Sequence, residues 1–199
     1  MARRTAAEAA ATRRDLVKAA LDVFGGCGYA GATLEQIAGR AGVTRGALYH
    51  HFADKADVYD SVLRQEADRV TGPLMADLAG SSPPLQRLHA FVVAYCTALG
   101  REPRFRRAIG LLLFGAPGAP ASDHTRRGYE VWTASFEAVL EDARERGDLS
   151  STRTPRDAAR TVVAVTVGAT TAALHAPAVF AAEEHATALA DTLIAGLTP

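Results

Sequence analysis

The chain has 199 residues, 48% of them hydrophobic and 22% charged, with 22 basic side chains balanced by 22 acidic ones. That size and apolar content suffice for a buried core, and the balanced charge excludes a disordered polyelectrolyte. Two cysteines, Cys27 and Cys96, are too few for a disulfide scaffold, and Met1-Ala-Arg-Arg-Thr5 lacks the apolar stretch of a secretory leader, so a reducing, cytoplasmic setting is expected.

Residues 1–55 hold eight basic and five acidic side chains, so a basic head precedes an acidic body. Residues 1–11, with Arg3 and Arg4, read as a flexible basic arm. Leu16, Val17, Ala20, Leu21 and Phe24 then recur on one helical face, and Gly25-Gly26 is expected to end that helix. Thr33 and Gln36 have the spacing of a capping box for a second, short helix with Leu34, Ile37, Ala38 and Ala41 inward. Gly42 forms the next turn. Thr44 caps a third helix, 45–51, that buries Leu48 and Phe52; Asp54 caps a fourth, 55–71, closed by Gly72-Pro73.

Beyond the loop Gly80–Pro84, one helix carries Leu85, Leu88, Phe91, Val92, Tyr95 and Leu99, and a shorter one follows Pro103 with Phe105, Ile109, Leu112 and Leu113. After a Gly- and Pro-rich loop from Gly115 to Pro120, Tyr129, Trp132, Phe136, Val139 and Leu140 stripe a helix that stops at Gly147. Pro155 opens another helix reaching His175, and a last one spans 181–197. No segment alternates with the period of a strand, so the fold is all-α with about nine helices. Thr161 to Leu174 is fourteen residues without a charge, short of the ~20 that cross a membrane. A helix apolar all round needs cover on more than one side, and a second subunit would supply it through Val162, Val165, Ala169, Ala173, Leu189 and Leu193.

Residues 33–52 have the layout of a helix-turn-helix. With Leu48 inward, Gly46 and His50 point outward, flanked by Ala47 and Tyr49, and Arg45 lies in the first turn, where a recognition helix enters the major groove. Small residues at 46 and 47 let the backbone approach the bases, and Arg45 suits a guanine edge. Thr33, Thr44, Tyr49, His50 and Lys55 reach phosphates from the flanks, aided by helix N-termini, while Arg3 and Arg4 suit the minor groove. His50 and His51 are adjacent on a helix, about 100° apart, which is awkward for joint metal ligation.

Residues 31–55, GATLEQIAGRAGVTRGALYHHFADK, with Ala19–Phe24 and Gly28-Tyr29 upstream, resemble the DNA-binding motif of TetR-family transcriptional regulators over about residues 12–60. The resemblance implies an all-helical homodimer on a palindromic double-stranded operator, with a C-terminal domain whose small-molecule ligand usually releases the DNA. It implies a DNA-binding domain at 12–54, a linking helix at 55–71 and a ligand-binding and dimerisation domain at 72–199. By residue match, Thr33, Arg45, Gly46, Ala47, Tyr49, His50, His51 and Lys55 fall on the family's DNA-contacting positions. Helix order and the stretch Arg104-Phe105-Arg106-Arg107-Ala108 resemble the AcrR-like efflux repressors; the Gly115–Ala121 loop departs from that branch.

Phe91, Tyr95, Phe105, Phe114, Tyr129, Trp132 and Phe136, with Thr166 and Thr170 as polar handles, are the candidate lining of a cavity for a neutral or cationic, hydrophobic, aromatic effector. Each ring taken alone reads more readily as an ordinary core residue than as pocket lining. Cys27 and Cys96 read as buried packing residues, and His89, His124, His175 and His185 as structural or solvated. No phosphate loop, nucleophile elbow, His-Glu-x-x-His or paired-carboxylate motif is present, so no catalytic residue, cofactor or metal is expected. Two other readings stay open: a constitutive DNA-binding regulator without ligand, and a helical small-molecule-binding protein or enzyme without DNA activity.

Overall fold

The computed structural model describes residues 6–119 and 123–199. Among them lie nine helices: α1 (Ala6–Gly31), α2 (Leu34–Arg40), α3 (Arg45–Tyr49), α4 (Lys55–Leu78), α5 (Pro84–Arg101), α6 (Pro103–Phe114), α7 (Asp123–Glu145), α8 (Pro155–His175) and α9 (Ala186–Ala195). Arg3 and Arg4 fall outside the described residues. α1 to α3 and the start of α4 form a small head, and α5 to α9 pack with the rest of α4 into the body. Helix α6 lies along α1: its Arg107 reaches Asp22 at 2.6 Å, while Gly115 and Pro117 beyond its end meet the far end of α1.

The apolar stripe of α1 is buried as its periodicity predicts, from Leu16 to Phe24, and meets Ile37, Ala38, Leu48 and Phe52 in one core. Several helix ends differ from expectation: α1 begins at Ala6, within the stretch read as a flexible arm, and α3 ends at Tyr49. α1 runs through Gly25-Gly26 and breaks only at Gly28, where φ is 72°. Gly25 instead gives room to α6, since a Cβ there would stand 3.2 Å from the Arg107 Cδ. Likewise α4 continues past Pro73. Val70, Leu74 and Leu78 bury at successive turns and offset the ~3 kcal/mol that an interior proline costs. At the C-terminus, α9 begins only at Ala186, after a run of turns.

In the body, Phe91 and Tyr95 of α5 stack on each other; both meet Trp132 of α7 edge-to-face, as Phe91 meets Phe136, with ring centroids 5.0 to 6.0 Å apart. Along its uncharged stretch, residues 161–174, helix α8 turns Val162, Thr166, Ala169, Thr170 and Ala173 inward. Thr161, Ala164, Gly168 and Thr171 are exposed on its outer face. Val162, Ala169, Ala173 and Leu193, expected at a subunit interface, are therefore buried within the protomer, and Val165 and Leu189 pack half-buried against its core. Both faces of the 161–174 stretch are uncharged, so the pattern could not say which one the chain itself covers. Cys96 is buried as expected, whereas Cys27 is exposed near the end of α1. Among the described residues, no helix is long and apolar enough to cross a membrane.

Candidate nucleic-acid interface

The recognition unit is fixed by local chemistry. The Thr33 hydroxyl accepts the Gln36 N–H at 3.2 Å, and the Gln36 side chain returns a bond to the Thr33 N–H at 2.9 Å, completing the capping box. Gly42 takes φ 69°, a conformation that a Cβ disfavours, and the Val43 N–H reaches back to the Ala38 carbonyl at 3.0 Å. Thr44 caps α3 by accepting the Ala47 N–H at 3.2 Å. Both cap hydroxyls act here as acceptors, so each keeps its own O–H to donate to a phosphate.

Buried Leu48 holds α3 on α2, and the remaining residues of the short helix form an open face. Arg45, Gly46, Tyr49 and His50 are exposed, Tyr49 by 45%, with Ala47 and His51 half-buried beside them. His50 and His51 lie just beyond the end of α3. A Cβ at Gly46 would meet only the Thr44 hydroxyl, at 3.9 Å, so a duplex could come up to the backbone there. Arg45 donates to the Tyr49 hydroxyl at 3.0 Å, stacks over its ring and ion-pairs with Glu35. Glu35 was not singled out from the sequence. Its exposed carboxylate keeps the guanidinium facing outward until a base edge competes for it, at little cost because exposed ion pairs are weak.

Lys55 departs from the expected phosphate contact. Its Nζ donates to the Tyr29 and Ala32 carbonyls at 2.9 and 3.0 Å and sits 4.4 Å from the Tyr29 ring centroid, tying the start of α4 to the end of α1. Two of its three N–H bonds are thus spent on the head itself. On the other flank, Arg13 lies over the Phe52 ring and donates to the buried Ser61 hydroxyl at 2.9 Å, so α4 is gripped on two sides.

Residues 16–62 match the bacterial regulatory proteins, tetR family. The transcriptional repressor BepR of Brucella suis is 32% identical over 200 residues, covering 98% of this chain and 96% of that one. The chain belongs to the TetR family. The transcriptional regulator SrpR of Pseudomonas putida is 35% identical over 151 residues, 75% of this chain and 68% of SrpR. Among solved structures, SmeT, repressor of the Stenotrophomonas maltophilia multidrug efflux pump SmeDEF, superposes with a TM-score of 0.79 at 26% identity, over 94% of this chain and 90% of that one. A SmeT–triclosan complex superposes with a TM-score of 0.80 at 27% identity, over 95% and 92% of the two chains.

The body of this TetR-family chain contains a cavity of about 280 Å³ between α4, α6 and α7, lined by Leu63, Ala67, Thr71, Ile109, Val131 and Trp132 among others, with Asp68 and Arg127 at its edge. Of the aromatic candidates, only Trp132 lines it. Phe91, Tyr95, Phe105 and Phe136 are buried against one another as core. Thr170 spends its hydroxyl proton on the Thr166 carbonyl and therefore accepts the Tyr95 O–H, at 2.6 Å. Burial pushes the Tyr95 hydroxyl well above the ordinary tyrosine range. Thr166 bonds its own helix. Tyr129 is half-buried, and Phe114, 46% exposed, lines a separate groove between α1 and α6.

Head and body of the TetR-family chain are joined by the very loop that departs from the AcrR-like pattern. The Pro117 carbonyl accepts the N–H groups of Tyr29 and Ala30 at 2.9 and 3.3 Å, and the Ala116 N–H donates to the buried Tyr59 hydroxyl at 2.8 Å. A Cβ at Gly118 would come within 2.9 Å of the Ala30 Cβ. Neither the loop's role nor the α4 part of the cavity lining was legible beforehand, because both depend on backbone groups and on small side chains. Among the described residues, no group of three or more His, Cys, Asp or Glu side chains is arranged to hold a metal.

Proposed function

We propose that this regulator is a homodimeric repressor that leaves a palindromic operator when a small hydrophobic ligand enters the body cavity. Thr33, Thr44, Arg45, Gly46, Ala47, Tyr49, His50 and His51 supply the DNA contacts, Arg45 reading a guanine and the cap hydroxyls holding phosphates. Lys55 supports them by fixing the head on α4. The observation that carries the reading is the double duty of α4: Leu63, Ala67 and Thr71 line the cavity, while Lys55 and Tyr59 on the same helix bind the head and the α6–α7 loop. A ligand that pushes α4 from α6 and α7 shifts the angle at which the head is presented, and with it the spacing of two recognition helices that must sit about 34–36 Å apart. Asp68, exposed and without an ion pair among the described residues, favours a ligand whose apolar body carries a cationic group.

The relatives support the same direction, since BepR and SmeT are repressors and SmeT has a triclosan complex. For the dimer, the exposed, uncharged face of α8 at Thr161, Ala164, Gly168 and Thr171 is the proposed seam. Selection of genomic fragments by the purified chain, with Arg45→Ala as control, tests the reading. It should return a palindrome that the variant does not bind, and an apolar amine should then reduce operator affinity by about 5- to 150-fold. Recovery of only sequence-indifferent DNA, lost by about 200 mM salt, would refute it.

A further inference from the structure

Arg14 and Lys18 stand one turn apart on the exposed side of α1, away from the core stripe, and the helix-turn-helix makes no use of them. The fold sets that side against α4 and α6, where Arg69 and Arg104 join them around a cleft of about 270 Å³ together with Asp15 and Glu66. Four cations thus face two carboxylates. Glu66, only 3% exposed, is already engaged: one oxygen accepts from Arg69 Nε at 2.8 Å and the other from Arg104 Nη2 at 2.5 Å. Arg14 and Lys18 have no ion pair or hydrogen bond within the described residues, and the enclosed Nε of Arg104 has no acceptor.

The chemistry called for is a compact dianion rich in acceptor oxygens. Its charge matches the excess of two positive groups, and its oxygens complement the forked N–H groups of arginine. We propose that this cleft binds the phosphate group of a small phosphorylated molecule, at a site separate from the apolar cavity. Arg104 belongs to a body helix, which sets the cleft at the seam between head and body rather than on the α2–α3 face. An occupied cleft bridges α1 to α4 and α6 and so opposes any motion that separates them.

Titration of the full chain with inorganic phosphate and with glycerol 3-phosphate, at constant ionic strength balanced by chloride, tests this by calorimetry and thermal shift. Both probes should give a saturable response, weakened about tenfold or more in Arg14→Gln/Lys18→Gln, whose exposed positions leave the unliganded melting temperature unchanged. Arg104→Lys, which keeps the charge but removes the guanidinium fork, should weaken both probes as well. A response that chloride alone reproduces, or that survives in the double variant, overturns the proposal. It also falls if neither probe binds while the double variant lowers the salt slope of operator binding by about two, because the cations would then serve the DNA backbone.

Discussion

Replacing Lys55 by methionine separates its two readings, a contact to DNA phosphate and a clasp within the head. Methionine keeps most of the apolar stem and deletes the ammonium, which holds two backbone carbonyls at 2.9 and 3.0 Å and faces the Tyr29 ring. A hydrogen bond from a charged donor is worth about 1.5–3 kcal/mol net. The lower end applies here because half-buried carbonyls regain water, and the ring adds about 0.5 kcal/mol. The expected loss is about 3.5 kcal/mol, a fall in melting temperature of about 7–14 °C for a chain of this size at fixed protein concentration. Thermal unfolding followed by circular dichroism measures it, and operator binding across a salt series supplies the second readout. The slope of log affinity against log salt should stay unchanged, since no phosphate partner is lost. An unaltered melting temperature together with a slope reduced by about 0.9 would refute the clasp and restore the phosphate contact.

Gly46→Leu should fold normally, because the site is open, yet lose operator binding by more than tenfold in a mobility-shift assay, since the side chain holds the α3 backbone off the bases. Gly168→Arg should yield a folded monomer in sedimentation: a Cβ there meets nothing within 4 Å in the protomer, while a charge on the proposed α8 seam has to be desolvated. Trp132→Ala should weaken an apolar effector about tenfold and leave DNA affinity without ligand intact, as read by calorimetry and mobility shift. Burial pushes the Cys96 thiol from about 9 up to about 11, so in that window the folded chain keeps a proton that the unfolded chain releases. Stability from this group is full below about pH 9 and falls as pH rises toward 11; urea midpoints should drop more steeply for the wild type than for Cys96→Ala. At neutral pH, a thiol reagent should label exposed Cys27 and spare Cys96.

The short-range features of the head were legible in the sequence because each is decided within four residues: the Thr33–Gln36 box, the Gly42 turn and the Thr44 and Asp54 caps are all present. Side chains that act across the fold were not. Periodicity told that Phe91, Tyr95 and Phe136 face inward, but not that they fill one another's space. The cavity opens instead where side chains are small, at Ala67, Thr71 and Gly128, and absent volume leaves no hydrophobic signal. Lys55 stands where the family pattern puts it, yet its partners are carbonyl groups, to which any residue type contributes equally. The buried face of α8 was illegible for a related reason: Ala, Thr and Val on both faces carry no mark of inside and outside until α6 and α7 choose one.

The bonds between Pro117 and the Tyr29–Ala30 backbone bear on how such regulators are recombined. A hybrid that joins the first 54 residues of this chain to another body cuts at a natural-looking linear boundary, but it discards the α6 face and loop against which those residues are shaped. Gly28 and Gly118 tolerate that proximity because they lack a Cβ, and Asp22 keeps an Arg107 partner only if the new body supplies one. A transplantable unit is therefore discontinuous, the head together with residues 107–118, and hybrids that carry both pieces should retain operator control where simple end-to-end fusions lose it.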